Sequence, residues 1–154
     1  LGDFAFDAVT GVVALGDGDL LVWGETSLDG TKGELMLLRL DPEGEMRWIQ
    51  VVSGCAAQDA ASFYPAAGGD LLILSGMTSD DGEIPVVHRL DAFSNILWRT
   101  ELGAAPNRDN WGLFERGDGL ATVYGSIGGE DNEGAIWEVD LDENGELVER
   151  PELR

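Results

Sequence analysis

The chain has 154 residues, of which 30 are acidic and nine basic, for a formal net charge of −21. This balance argues against a nucleic-acid partner, because so acidic a surface cannot replace the counterions around phosphates, and it repels anionic membrane surfaces. With 44% apolar residues and 22 glycines the composition is globular and turn-rich, too hydrophobic for disorder and too aperiodic in glycine for collagen, and no apolar run approaches the roughly 18 residues of a membrane span.

Taken in chain order, the first unit opens on Asp7-Ala8-Val9 and passes through a glycine turn into Gly18-Asp19-Leu20-Leu21-Val22-Trp23-Gly24. Its β-branched and aromatic content reads as a strand. A polar loop, Leu28 to Gly33, leads to Met36-Leu37-Leu38-Arg39-Leu40-Asp41, and after a tight turn comes Met46-Arg47-Trp48-Ile49. The same order then returns: Asp59-Ala60-Ala61, Gly69-Asp70-Leu71-Leu72-Ile73-Leu74-Ser75-Gly76, Val86-Val87-His88-Arg89-Leu90-Asp91 and Ile96-Leu97-Trp98-Arg99. A third copy runs from Asp109-Asn110-Trp111 through Gly119-Leu120-Ala121-Thr122-Val123-Tyr124-Gly125 and Trp137-Glu138-Val139-Asp140-Leu141-Asp142 to a weaker Leu147-Val148-Glu149. The period is about 50 residues, the range of repeat architectures.

Each unit thus predicts four short strands, and no stretch keeps a helical apolar period for three turns. The expected fold is all-β, one repeat domain over residues 1–154, with units at about 3–54, 55–103 and 104–154. Four-stranded units of this length match the blades of a β-propeller. The ordered set that ends in Leu37-Leu38-Arg39-Leu40-Asp41-Pro42-Glu43-Gly44-Glu45-Met46-Arg47-Trp48 resembles the bacterial β-propeller repeat family of secreted and surface proteins. That resemblance covers residues 3–150 and implies an extracellular or periplasmic location. Its third copy departs from the pattern, with Glu149 where Trp48 and Trp98 stand and Pro151 beyond, so the last strand is expected to be short and peripheral. The competing architecture is a β-trefoil, which also places three four-stranded repeats in this length. Propellers have about 4 to 8 blades, so three leave two apolar faces open. The propeller reading therefore predicts either a homo-oligomer, such as three blades plus three, or further blades in a longer chain. Because the chain begins at Leu1, a leader or longer N-terminal region is expected upstream.

Residues with chemistry are few. His88 is the only histidine and aligns with Leu38 and Val139, which predicts a buried ring bonded to a nearby carbonyl or carboxylate. Cys55 has no nearby basic residue to activate it and reads as inert. Asp140-x-Asp142-x-Asn144-Gly145 resembles half a calcium loop, but Pro151 stands where a bidentate glutamate belongs, and comparison with Asp41-Pro42-Glu43-Gly44 makes it an ordinary turn of the repeat. Acidic loops at Asp80, Asp81, Glu130 and Asp131 should share one rim with Asp7, Asp59 and Asp109. Solvated charge is the default reading of that rim, and a calcium site or a basic protein partner is the functional one. No cofactor other than calcium is expected. Trp48 and Trp98 share a column suited to packing between units, whereas Trp111 is the candidate for stacking on a carbohydrate ligand. Together these features point to a non-catalytic binding or scaffold module; the alternative is part of a carbohydrate-active propeller enzyme whose other blades lie elsewhere.

Overall fold

Short runs of leucine, β-branched and aromatic residues, cut by glycine and aspartate, form strands joined by tight turns. The computed structural model describes residues 8–26, 34–56, 60–79, 82–103, 111–127 and 135–148. The first repeat supplies β1 (Ala8–Ala14), β2 (Leu20–Thr26), β3 (Glu34–Leu40) and β4 (Met46–Ala56). The second supplies β5 (Ala60–Pro65), β6 (Leu71–Ser79), β7 (Gly82–Leu90) and β8 (Ile96–Glu101), with one 3-10 turn at Ala67–Gly69. From the third come β9 (Gly112–Glu115), β10 (Ala121–Ile127), β11 (Ala135–Leu141) and β12, of which Leu147–Val148 is described.

Each repeat folds into its own antiparallel four-stranded sheet with neighbouring strands consecutive in sequence, here sheets 1, 2 and 3. The fold is therefore all-β, as expected. A β-trefoil would join strands of different repeats in one barrel. Among the described residues no sheet is closed and no strand pairs outside its own repeat. Even irregularities recur: the pairing slips at Val9/Gly11 and Ala60/Ser62 in the first strands, and at Arg39/Leu40 and Arg89/Leu90 before the last turns. β12 pairs with β11 at the edge of sheet 3; Glu149 and Pro151, on which its expected shortness rested, lie outside the described residues.

The turn between the third and fourth strands is built by one aspartate. Asp41 Oδ1 accepts the amides of Glu43 and Glu45, Asp91 Oδ1 those of Phe93 and Asn95, and Asp142 Oδ1 those of Asn144 and Glu146. Each turn then needs one residue at positive φ. Gly44 and Gly145 supply it at 86° and 78°, while Ser94 takes the same place at 68°. Only glycine enters that region without steric cost.

The sheets stack face to face in chain order. One core joins Leu21, Leu35 and Leu37 of sheet 1 to Leu71, Ile73 and Leu90 of sheet 2. A second joins Leu72, Leu74 and Val87 of sheet 2 to Leu113, Val123 and Leu141 of sheet 3. Leu71 and Ile73 thus face one neighbour while Leu72 and Leu74 face the other, which explains why this strand reads as continuously apolar. We call the side turned to the next sheet in sequence the leading face and the other the trailing face. Across the first interface the Trp23 ring stacks on Phe63, with centroids 4.3 Å apart. Trp23 lies over Gly11, where any Cβ would overlap the indole, and Tyr124 covers Gly112 in the same way in sheet 3. In sheet 2 the pair becomes Leu74 and Ser62, a smaller side chain allowing a Cβ opposite.

Candidate functional site

Three locations hold the chemistry that the described residues bring together: the turn rim, the buried histidine and the two end faces of the stack. The rim joins the turns between first and second strands to those between third and fourth. There Arg39 donates from Nε to Asp19 at 2.7 Å, from Nη1 to the Ala92 carbonyl of sheet 2 at 2.9 Å, and from Nη2 to Asp17. Asp19 also pairs with Arg47 at 2.6 Å. Burial alone would raise the Asp19 carboxyl, but Arg39 and Arg47 outweigh it and hold the group below the usual carboxylate range.

One repeat on, Arg89 Nε donates to Asp70 at 2.8 Å and its Nη1 lies 3.5 Å from Glu115 of sheet 3. Glu115 in turn accepts the Ala67 amide at 2.6 Å. The third repeat inverts the pair. Asp140 stands where Arg39 and Arg89 stand, Leu120 replaces Asp19 and Asp70, and the cation comes from Arg116. The Asp140 carboxylate accepts Thr122 Oγ1 at 2.7 Å and Arg116 Nη1 at 3.1 Å. This ladder escaped the sequence reading, although Gly-Asp at 18–19 and 69–70 recurring with Arg39 and Arg89 carried its signal.

Between the rims of sheets 1 and 2 lies a cleft of about 510 Å³, lined among others by Gly16, Asp17, Arg39, Pro65 and Asp70. Its Arg39 and its two carboxylates are already committed to ion pairs. Such a cleft offers binding polarity and hydrogen-bonding backbone; it brings no nucleophile together with a base.

The calcium-like run resolves into these local roles, Asp142 capping its turn and Asp140 bonding inside its sheet. Backbone amides, first among them that of Glu146, depress the Asp142 carboxyl. The acidic loop residues Asp80, Asp81, Glu130 and Asp131 lie outside the described residues, as do Asp7, Asp59 and Asp109. Among the described residues no group of three His, Cys, Asp or Glu side chains is placed to hold a metal ion. Trp111 is half-buried, packed against the core between sheets 2 and 3 and close to Gly125.

His88 corrects one expectation. It is buried, at 1% exposure, in the column of Leu38 and Val139, but among the described residues neither ring nitrogen finds a hydrogen-bond partner. The reason lies in its register: its cross-strand neighbours are Ile73 and Arg99, which offer no side-chain acceptor. Burial, aided by the Arg99 charge, lowers its pKa to about 4. The ring is therefore a neutral packing element at ordinary pH, the state in which an unpaired imidazole costs least.

The two end faces of the stack carry rows of apolar side chains. On the trailing face of sheet 1 the cross-strand row Val12, Val22, Leu38, Ile49 is entirely aliphatic, and the rows on either side are apolar too. The leading face of sheet 3 carries Phe114, Tyr124, Ile136 and Val148, all exposed, around the bonded Thr122 and Asp140.

No protein-family model matches this chain, and comparison with curated proteins found no match. Among the described residues no helix is long and apolar enough to cross a membrane, a statement that leaves strand-built spans aside.

Proposed function

We propose that this chain is a non-catalytic binding or scaffold module of the β-propeller type, whose three sheets are blades of an array completed either by self-assembly or by further blades. The observation that carries this reading is the constant stacking rule. Sheet 1 meets sheet 2 by the same strand positions through which sheet 2 meets sheet 3, so every internal interface is one step of a repeated operation. A repeated operation of this kind has no natural end within three units, and it leaves apolar faces at both termini of the stack. Binding would then fall to loops and rim clefts held by the rigid sheets, the usual division of labour in such scaffolds. A location outside the cytoplasm, and calcium or a basic partner at the acidic loops, belong to the same proposal.

The test is a solution mass measured beside binding of an apolar fluorescent dye. A mass above one chain, or a one-chain mass with strong dye binding, supports an array with open ends. A one-chain particle that leaves the dye dark overturns it.

A further inference from the structure

We infer that the two end faces cover one another in a second copy of this chain: the leading face of sheet 3 in one molecule docks on the trailing face of sheet 1 in the other, head to tail, and the reverse contact closes the pair. This rests on the reading of the chain as an incomplete repeat array, and it names what completes it.

Position equivalence argues for these two faces. Trp23 on the leading face of sheet 1 stacks on Phe63 of sheet 2. One repeat on, the same two positions are Leu74 and Leu113, again in one core. The next pair in the series is Tyr124 on the leading face of sheet 3 and Val12 on the trailing face of sheet 1, and these are 42% and 59% exposed. Ile136, at the place of the buried Leu35, is 79% exposed. Val12, Tyr124 and Ile136 are thus exposed where their counterparts inside the chain are covered, while Met36 on the same sheet 1 face and Thr122 and Asp140 on the sheet 3 face are buried.

The polar groups at the two ends fit this contact with one exception, Glu138. Inside the chain a leading-face arginine crosses each gap, Arg39 to the Ala92 carbonyl and Arg89 to Glu115. At the ends both halves of the Arg89–Glu115 pair are missing together: sheet 3 has Asp140 in place of the arginine, and sheet 1 has Ala14 in place of the glutamate. Asp140 is already satisfied by Thr122 and Arg116, so docking buries no uncompensated charge there. Glu138 takes the position of Leu37 and Val87, which makes this contact weaker than the internal ones and its formation concentration-dependent. Two copies bring three sheets each, within the range of about 4 to 8 over which blades close into a ring.

The experiment uses the full chain and two charge substitutions at exposed sites, Val12→Asp on the sheet 1 face and Ile136→Asp on the sheet 3 face, with circular dichroism confirming that each folds. Should Val12→Asp not fold, Val9→Asp on the same face takes its place. Light scattering on the unmodified chain is expected to give twice the mass of one chain, and each variant alone the mass of one. Mixed in equal amounts, the variants are expected to regain a two-chain species, because one intact sheet 3 face then meets one intact sheet 1 face. A pair that survives Ile136→Asp alone means that two sheet 1 faces meet, and one that survives Val12→Asp alone means that two sheet 3 faces meet; either overturns the head-to-tail contact. A mass that climbs past two chains overturns the closed pair. A one-chain mass for the unmodified protein also overturns the proposal, and strong binding of the apolar dye in that case leaves the open array standing without a second copy.

Discussion

The indole Nε1 of Trp48 donates to the backbone carbonyl of Ala92 across the gap between sheets 1 and 2, at 3.2 Å. One repeat later Trp98 Nε1 donates to the Glu143 carbonyl of sheet 3 at 3.0 Å. The donor sits in the fourth strand and the acceptor in the next repeat's last turn, so the same hydrogen bond ties successive sheets in both gaps.

Replacing Trp98 with Phe keeps a ring in the interface but removes this donor. A net loss of about 1 kcal/mol is expected for the bond, and somewhat more with the lost ring area. Urea unfolding should show a lower midpoint at unchanged slope. A midpoint equal to that of the parent chain would mean that the bond contributes nothing to holding sheets 2 and 3 together.

The pH dependence of stability should carry the signature of His88. Its folded pKa is about 4 against 6.5 for a free imidazole. The unfolded chain therefore takes up a proton first as pH drops below 6.5. Stability is complete above that value, falls between pH 6.5 and 4, and is lower by on the order of 3 kcal/mol at the bottom of that window. His88→Leu, which restores the residue type of Leu38, should flatten the curve there and hold or raise stability at neutral pH, because two unpaired buried nitrogens disappear.

Gly145 combines a left-handed backbone with a lack of room for a side chain. Its φ is 78°, and a Cβ there would meet Trp98 ring atoms at 2.7 Å. Thr100 Oγ1 also donates to its carbonyl at 2.6 Å, tying the turn to sheet 2. Gly145→Ala is expected to cost at least about 1 kcal/mol from backbone strain alone. Calorimetry should show a lower melting temperature, and a larger loss than for Gly44→Ala, where open space surrounds the Cβ.

Removing Arg39 should matter more than removing a surface cation, because Asp19 is buried beside it. Arg39→Met leaves that carboxylate with Arg47, which is half-exposed. The Asp19 carboxyl is held below its ordinary 3.8, so its contribution is present above that pH and is lost as pH falls through the lower folded value. In Arg39→Met the carboxyl is lowered less, so the loss of stability below pH 3.8 should shrink even though the variant is less stable at neutral pH. The double variant Asp19→Asn with Arg39→Met should recover part of the stability, since no buried charge is then left alone.

The repeat order told most of the secondary structure in advance, because strand runs and turn signals are local. Leu20 to Gly24, Leu71 to Gly76 and Ala121 to Gly125 each read as a second strand, and each is one. The shared column of Trp48 and Trp98 likewise announced packing between units. His88 was legible only by half. Its apolar column gave its burial, whereas its lack of a partner depends on Ile73 and Arg99 flanking it across the sheet.

By itself, then, the amino-acid order determined an all-β chain of three four-stranded units and an acidic surface, since each of these depends on neighbours a few residues away or on composition alone. Tertiary structure decided which side of each sheet faces which neighbour. A period-2 strand such as Leu71 to Leu74 is apolar on both sides, and only docking separates Ile73 from Leu74. It also decided that Arg39 and Arg89 bridge between sheets, because their partners lie in another repeat, while Asp140 bonds within its own. The same docking exposes Val12 and Tyr124 at opposite ends of the stack, where the positions that are buried in the interior have no neighbour to cover them.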